Sequence, residues 1–587
     1  MLIKPRPRND KLHAQALEAG LTPLQAHIVA GRLVDFAGDL DRIVNPALRY
    51  IDHPELLQDS DKAAVRIASA VRDGERIGIV TDYDVDGVTS HALIHRALTV
   101  YFNYPTTSID SFIGHRVNDG YGVSKKLTER ILSQPELPAV IITADCGSSD
   151  EAQVIRLQQA GIDVIVTDHH ALPVTGPPSS AYAVINPLRA DCRYPDTTVA
   201  GCMIAWLLMA RVRSQLIEDG QLPADAPKLS KELDYVSLGT VADCVSIGTP
   251  INRAVVNVGL SQMNALSRPC WQAMQTLLNR SGQQFCAEDL AFQIGPRINA
   301  RSRMADPYAA LHFLLASDHE NALRYLKLLD SDNQDRKFIE RDMTETAKQR
   351  AASLVEQGFS SLVIYLPEGH PGVQGIVASR LVEAFGRPAI VLCDSHEPAQ
   401  LTGSARGIAD LHLRDALQEI VDARPELLIK FGGHKHAAGL AIERTLLNDF
   451  QVAFEQAVCA QLGDRTLAPV IWTDGALPAE SFSLDTLAEL DRLQPFGREF
   501  EAPIFEGHFE VVGIRAVGAE PIHLSLQLRA FDAVWSAIWF RALEAAGDPL
   551  PFAPGDTIHC VYQLNGNTFR GKTTLQLIVR HAAKNGV

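Results

Sequence analysis

The sequence predicts an α/β protein: a parallel-sheet domain, a second α/β domain joined to it by long helices, and a small C-terminal β-barrel of the OB type. Three observations carry this. Apolar strand-like runs alternate with helix-like runs between residues 76 and 170, and again after Phe359. Between these regions lies a proline-free, charge-rich stretch, "NALRYLKLLDSDNQDRKFIERDMTETAKQRAASLVEQG". Near the end, five short strand-like runs are separated by turn residues. A chain of 587 residues fits about three or four domains.

Residues 1–45 read as a polar N-terminal arm with short amphipathic helices. Residues 46–250 form the first α/β domain. "RIGIVTDYD", "PAVIITADCGSS" and "IDVIVTDHH" are buried strands, and "SHALIHRALTVYF" and "EAQVIRLQQAG" are helices. That rhythm is a parallel sheet. Its polar residues gather beyond the carboxyl ends of the strands, where open α/β sheets bind ligands. "VAGCMIAWLLMA" is the longest apolar run; it is too short to span a bilayer and reads as a buried helix. Residues 251–355 are a helical connector. Residues 356–462 hold the second α/β unit, with strand "SLVIYLPEG", helix "QGIVASRLVEAFG" and strand "RPAIVLCD". "GDRTLAPV" reads as a linker at the start of the last region, 463–587. There "FEVVGIRAVG", "HLSLQLRAF", "VWSAIWF", "DTIHCVYQL" and "TTLQLIVR" supply the barrel strands.

Composition narrows the function. Apolar residues make up 46% and charged residues 21%, as in ordinary globular domains. The formal net charge of −16 argues against a broad nucleic-acid coat but leaves room for a local basic groove. The nine cysteines form no C-x-x-C pair, which argues against a zinc cage and for reduced thiols in a cytoplasmic protein. "MLIKPRPRND" has no apolar signal core.

The chemistry gathers in the acidic strand ends. "VTDYDVDGVTS" sets Asp82, Asp84 and Asp86 at alternate positions straight after an apolar run, with Gly87 to permit a turn. Asp145 ends the next strand, and Asp168, His169 and His170 end the third. Asp243 follows a further apolar run, "LGTVADCVSIG", and reads as one more strand-end ligand. Hard divalent cations prefer carboxylate oxygens, and imidazole joins for manganese-like ions. The set suffices for two ions sharing one carboxylate. A single Asp after a strand is usually a cap or turn former. A calcium loop would need Glu where Leu93 stands. Two adjacent histidines after "VIVTD" gain nothing from packing, so the joint pattern favours metal.

"DYDVDG", "ADCG", "DHH" and "GTVADCV" resemble the four motifs of the DHH phosphoesterase superfamily. "HRVNDGYGVS", "INPLRADCRYPDTTVAGCMIAWLL", "NRAVVNVGL" and "FQIGPRINA" narrow the resemblance to the RecJ single-stranded-DNA-specific exonucleases. "GHPGVQGIVASRL", "GSARG" and "GGHKHAAGL" look like the DHH-associated domain of that family. The resemblance implies Mn2+ or Mg2+ as two divalent cations. Asp86, Asp145, His169 and Asp243 would hold one. Asp84 and the bridging Asp145 would hold the other, with Asp82 a ligand or an outer acceptor. Asp168 would orient a neighbour, and His170 would meet the scissile phosphate.

Arg297 and Arg303 of "PRINARSRMADP" would stabilise transition-state charge, with Asn299 beside them; Arg301 is the third arginine of that stretch. Ser404, Arg406 and Arg116 would grip a terminal 5′ phosphate. Gly433 and His434 would approach a nucleotide, as would His370 and Arg380. Arg570 and Lys572 would add charge to a barrel that tracks DNA.

The implied activity is 5′→3′ hydrolysis of single-stranded DNA to 5′-mononucleotides in recombination and repair. The implied partners are single-stranded DNA with a 5′ end, a single-stranded-DNA-binding protein and a repair helicase, with no membrane. Two alternatives stand beside it. One is an oligonucleotide or cyclic-dinucleotide phosphodiesterase of the same superfamily, against which length and barrel count. The other is an inactive nucleic-acid-binding subunit, against which the full ligand set counts.

Overall fold

The structure is a computed structural model that describes every residue except 117–118, 281, 305, 396, 464, 466 and 585–587. Five parallel strands form the first sheet, in the order Ile109–Ile113, Ile77–Thr81, Val140–Ala144, Asp163–Thr167, Ala183–Ile185. Strands Ile77–Thr81 and Val140–Ala144 are buried at every position, as strands covered on both faces must be. Alternate residues feed two cores. Ile77, Ile79, Val140 and Ile142 pack with the Ser60–Asp73 and Gly201–Glu218 helices, while Val80, Ile141 and Val166 pack with Lys125–Leu132 and Glu151–Gln159. The two outer strands escape the sequence pattern: "IDSFI" carries Asp110 and Ser111, and "AVI" is only three residues long.

The Val85–Arg96 helix follows strand Ile77–Thr81 directly. Asp84 is its N-cap and accepts the Gly87 N–H at 3.1 Å. Gly87 therefore serves close packing inside the first turn: a Cβ there would lie 2.3 Å from the Asp82 carbonyl oxygen. The apolar run before Asp243 is not a strand. It is the helix Leu233–Ala242, with Asp243 as its C-cap, so this carboxylate arrives from a helix end. Periodicity alone does not separate a fully buried strand from a buried helix. "VAGCMIAWLLMA" lies in the largely buried helix Gly201–Glu218, and no helix among the described residues is long and apolar enough to cross a membrane.

The connector's elements among the described residues are all helices, the last being the single helix His319–Glu356. Its 38 residues span about 57 Å. "PRINARSRMADP", whose backbone path the sequence leaves open, forms the helix Gly295–Met304, with Ala305 outside the described residues. The second sheet runs Lys430–Gly433, Ala437–Glu443, Gln400–Arg406, Ala389–Asp394, Leu362–Leu366. The last two strands are parallel, as a strand–helix–strand unit requires, and the other pairings are antiparallel. "GSARG" thus lies on a strand. The two-residue spacing of Ser404 and Arg406 puts both side chains on one face, opposite buried Leu401, Gly403 and Ala405.

The last five strands close into a barrel, ordered Phe505–Val517, His523–Ala530, Ala533–Trp539, Lys572–Lys584, Thr557–Phe569. The arm is built into this end of the molecule. Leu2–Pro5 pairs in parallel with Val470–Thr473. Arg32 forks onto Asp474 at 2.6 and 2.9 Å, with both side chains almost fully buried. Breaking such a pair costs about 3–5 kcal/mol, because one charge stays buried alone. The linker expected at "GDRTLAPV" lies partly outside the described residues, at Asp464 and Thr466.

Candidate metal centre and nucleotide cleft

The parallel sheet and the Leu233–Ala242 helix deliver their acidic ends to one crevice. Asp145 takes a left-handed backbone, φ +60°, immediately after its strand. Gly201 admits this turn, since a Cβ there would meet Asp145 Cβ at 2.9 Å. Three ligand groupings result, each with atoms within 4.8 Å of one another: Asp82, Asp84 and Asp145; Asp86, His169 and Asp243; Asp145, His169 and His170. Asp145 and His169 each stand in two of them. His169 Nε2 lies 3.2 Å from Asp145 Oδ1, 3.5 Å from Asp243 Oδ2 and 3.9 Å from Asp86 Oδ2.

The donor set fits divalent cations. Asp82 Oδ1, Asp145 Oδ1 and His169 Nε2 are buried without a hydrogen-bond partner. Buried polar atoms are normally satisfied, so three such atoms in one crevice fit the coordination of a cation. Burial, then mutual repulsion with neighbouring carboxylates, pushes the Asp82, Asp145 and Asp243 carboxyls well above the ordinary range. Burial also raises Asp86 and keeps His169 neutral, with a lone pair to offer. Asp86 is fixed by the first turn of the Gly201–Glu218 helix, whose Gly201 and Cys202 N–H groups donate at 2.7 and 2.9 Å. Gly239 leaves room for it, because a Cβ there would lie 2.7 Å from Asp86 Oδ1.

Asp168 does not join these groupings. It accepts the N–H groups of Ser148, His169 and His170 and the His170 ring at Nδ1. These bonds overcome burial and hold its carboxyl below the ordinary range. Burial alone would lower His170, but the Asp168 hydrogen bond and charge carry it up to about 9. Sequence reasoning missed three supports of this histidine. The Tyr121 hydroxyl lies 3.0 Å from His170 Nδ1, and Asn186 Nδ2 donates to the His170 carbonyl and to Ser148 Oγ. Tyr121, Ser148 and Asn186 are themselves uncharged and draw no attention within "DGYG", "CGSS" and "INP".

The three arginines of the Gly295–Met304 helix separate. Arg297 pairs with Asp330 at 2.9 Å, and Arg301 pairs with Asp332 at 3.0 Å. Arg303 has no carboxylate partner among the described residues. It donates to the Gly372 carbonyl, and its Nε is buried and unpaired. Burial, then the nearby Arg116 and Arg336 charges, depresses it to about 9. Asn299 accepts the Val85 N–H at 3.1 Å and so steadies the loop that carries Asp84.

Arg303 stands where two cavities meet. One, of about 160 Å³, is lined by Ala242, Asn299 and Arg336. The other, of about 830 Å³, is lined by Arg116 from the first domain and by Ser404, Arg406, Gly375 and Arg380 from the second. Arg116 lies over the Tyr83 ring at 4.2 Å, and Gly375 lets the Arg406 guanidinium approach its backbone. Arg380 is already paired with Glu340 and Glu383. Arg297 and His370 line neither cavity, although His370 lies near Arg303, whose charge helps lower it after burial. Gly433, φ +148°, leaves no room for a Cβ beside the Ala437 carbonyl. His434 lies near His170 and His169, which lower it after burial. Val117 and Asn118 of "HRVNDGYG" fall outside the described residues.

Comparison with known proteins finds three matching domains along the chain. Family models match as the DHH family, N-terminal domain, over residues 76–240, the DHHA1 domain over 358–460, and the RecJ OB domain over 473–581. A single-stranded-DNA-specific exonuclease RecJ from Haemophilus influenzae is 34% identical over 95% of each chain. RecJ from Thermus thermophilus in complex with Mn2+ superposes with a TM-score of 0.76 at 26% identity, covering all of this chain and 80% of that one. The Mg2+ complex of that protein shares the fold, with a TM-score of 0.71 at 24% identity, covering all of this chain and 78% of that one. The chain belongs to the RecJ family, and it carries the DHH, DHHA1 and RecJ OB domains in that order.

Proposed function

We propose that this protein is a divalent-metal-dependent exonuclease that degrades single-stranded DNA from its 5′ end to 5′-mononucleotides, in recombination and repair in the cytoplasm. The observation that carries it is the large cavity in which Arg116 faces Ser404 and Arg406 across two domains, with Arg303 shared with a smaller cavity lined by Ala242, the neighbour of Asp243. Asp86, Asp145, His169 and Asp243 would hold one cation, and Asp84, Asp145 and Asp82 the other. Such ions supply a more acidic water and charge neutralisation at the leaving oxygen.

The chain's own residues do the rest. Arg116, Ser404 and Arg406 hold the terminal phosphate, which fixes where the strand begins. His170, kept cationic by Asp168, meets the scissile phosphate. Arg303 fits the charge that grows there, because a buried guanidinium without a carboxylate gains most from an anion. We assign this role to Arg303 and not to Arg297, whose guanidinium is engaged by Asp330. His434 and the Gly433 backbone face the nucleotide from the second domain. A single-stranded-DNA-binding protein and a repair helicase are the partners that such a substrate brings with it.

The test is a timed digestion of 5′- and 3′-labelled single strands with Mn2+ or Mg2+. Early mononucleotide release from the 5′ label is the expected result. Early release from the 3′ label, or cleavage confined to dinucleotides, would overturn it.

A further inference from the structure

The loop that carries Asp243 is held from the C-terminal side of the chain. Asp243 ends its helix, and Cys244 continues in a left-handed conformation, φ +57°. The segment "LQPFGREF" at 493–500, which leads into the barrel, lies along this loop. The Ile247 N–H donates to the Arg498 carbonyl at 2.9 Å. The Arg498 guanidinium donates to the Cys244 carbonyl at 3.1 Å. Gly497 packs so closely that a Cβ would lie 2.6 Å from Ile247 Cγ1. Arg253, fully buried, lashes the same pieces together by donating to the carbonyls of Ile247, Leu493 and Pro495, and it lies 4.2 Å over the Phe500 ring.

The ligands differ in how they are held. Asp86 is fixed by two backbone amides, but among the described residues no hydrogen bond holds the Asp243 carboxylate. Asp243 is also the more open, with 22% of its side chain exposed against none for Asp86. Its position therefore depends on the backbone that follows it, and Arg498 grips that backbone one residue away.

We infer that Arg498 is a positioning residue for Asp243: by holding the Cys244 carbonyl, it keeps the Asp243 carboxylate at the distance from His169 and Asp86 that a shared cation requires. This rests on the metal reading given above. Two effects of Arg498 oppose each other. Its charge repels a cation, so removing charge alone would tighten binding. Its hydrogen bond orders the ligand, so removing that bond would weaken binding. The sign of the change separates them.

The experiment is Mn2+ binding to the full chain, followed by electron paramagnetic resonance of the free ion, without substrate. Wild type should bind Mn2+, and Arg498→Met, which keeps the apolar stem, should lose about tenfold in affinity at one site. Arg498→Lys, with a donor and a charge, should recover most of it. Arg515→Ala, an exposed barrel residue of equal charge, should match wild type. Equal or tighter binding by Arg498→Met overturns the inference, and Arg498→Ala provides a second variant should the first fold poorly. A wild-type protein that binds no Mn2+ would overturn the metal reading, and this inference with it, and that failure is recognisable because wild type itself shows it.

Discussion

The Asp168 carboxylate and the His170 imidazole lie 2.7 Å apart, Oδ1 to Nδ1, and the same carboxylate takes three backbone N–H groups. Asp168 is thus a fixed anion whose remaining capacity goes to one ring. Asp168→Asn should lower kcat/KM on 5′-phosphorylated single strands by roughly 10–100-fold. It should also move the alkaline fall in rate from about pH 9 toward ~6.5, the ordinary imidazole value. A pH–rate profile of the two proteins checks this, and an unmoved alkaline limb would exclude His170 as the working cation.

Asp145→Asn should abolish nuclease activity yet stabilise the metal-free protein. Burial and four neighbouring carboxylates raise the Asp145 carboxyl in the folded state. A carboxyl raised on folding binds its proton more tightly in the native state, so metal-free stability falls as pH rises above the ordinary carboxyl value, ~3.8. Removing one charge should relieve on the order of 1 kcal/mol at pH 7. Thermal melts in EDTA, with and without added Mn2+, read both effects: Mn2+ should raise the wild-type midpoint and leave the variant nearly unmoved.

His91 should make the protein acid-sensitive. It is fully buried between Thr81 Oγ1 at 3.1 Å and Ser111 Oγ at 2.9 Å, and burial lowers it to about 3. Below ~6.5 the unfolded chain gains a proton that the native state refuses, so stability is full above that pH and falls as pH drops toward about 3. The loss approaches about 1.4 kcal/mol per pH unit. Urea midpoints between pH 7 and 5 should show a shallower slope in His91→Gln.

The proposed terminal-phosphate pocket should be specific to its ligand. Arg406→Ala should raise KM by roughly 10–100-fold on 5′-phosphorylated strands, the worth of a charge-assisted hydrogen bond. It should change little on 5′-hydroxyl strands, where that bond does not exist. Arg380→Ala should be milder on both, because Glu340 and Glu383 already occupy its guanidinium. Steady-state kinetics on the two substrates would show equal losses if Arg406 served only packing.

The carboxylates were legible in the sequence because charge at the end of an apolar run is costly and so stands out. Asp82, Asp84, Asp86, Asp145 and His169 all reached the crevice that their strand ends predict. Asp243 reached it by another route, since the buried run before it looks alike as strand or helix. The arginines were harder. Arg297, Arg301 and Arg303 are chemically equal in the sequence, and only Asp330 and Asp332, a helix away, distinguish them. Tyr121, Ser148 and Asn186 were silent because neutral polar side chains acquire meaning only through what they touch. The antiparallel half of the second sheet was equally silent, being rich in glycine and short of apolar alternation.

The pairing of Leu2–Pro5 with Val470–Thr473 has a consequence for biosynthesis. Ribosomes add ~5–20 residues per second, so the first strand waits on the order of half a minute or more for its partner to emerge. Both α/β domains have left the tunnel by then. The nascent chain thus completes the halves of its catalytic cleft before it can tie its opening residues to the barrel. A ribosome stalled in that interval would present an unpaired strand edge, the kind of surface that invites aggregation.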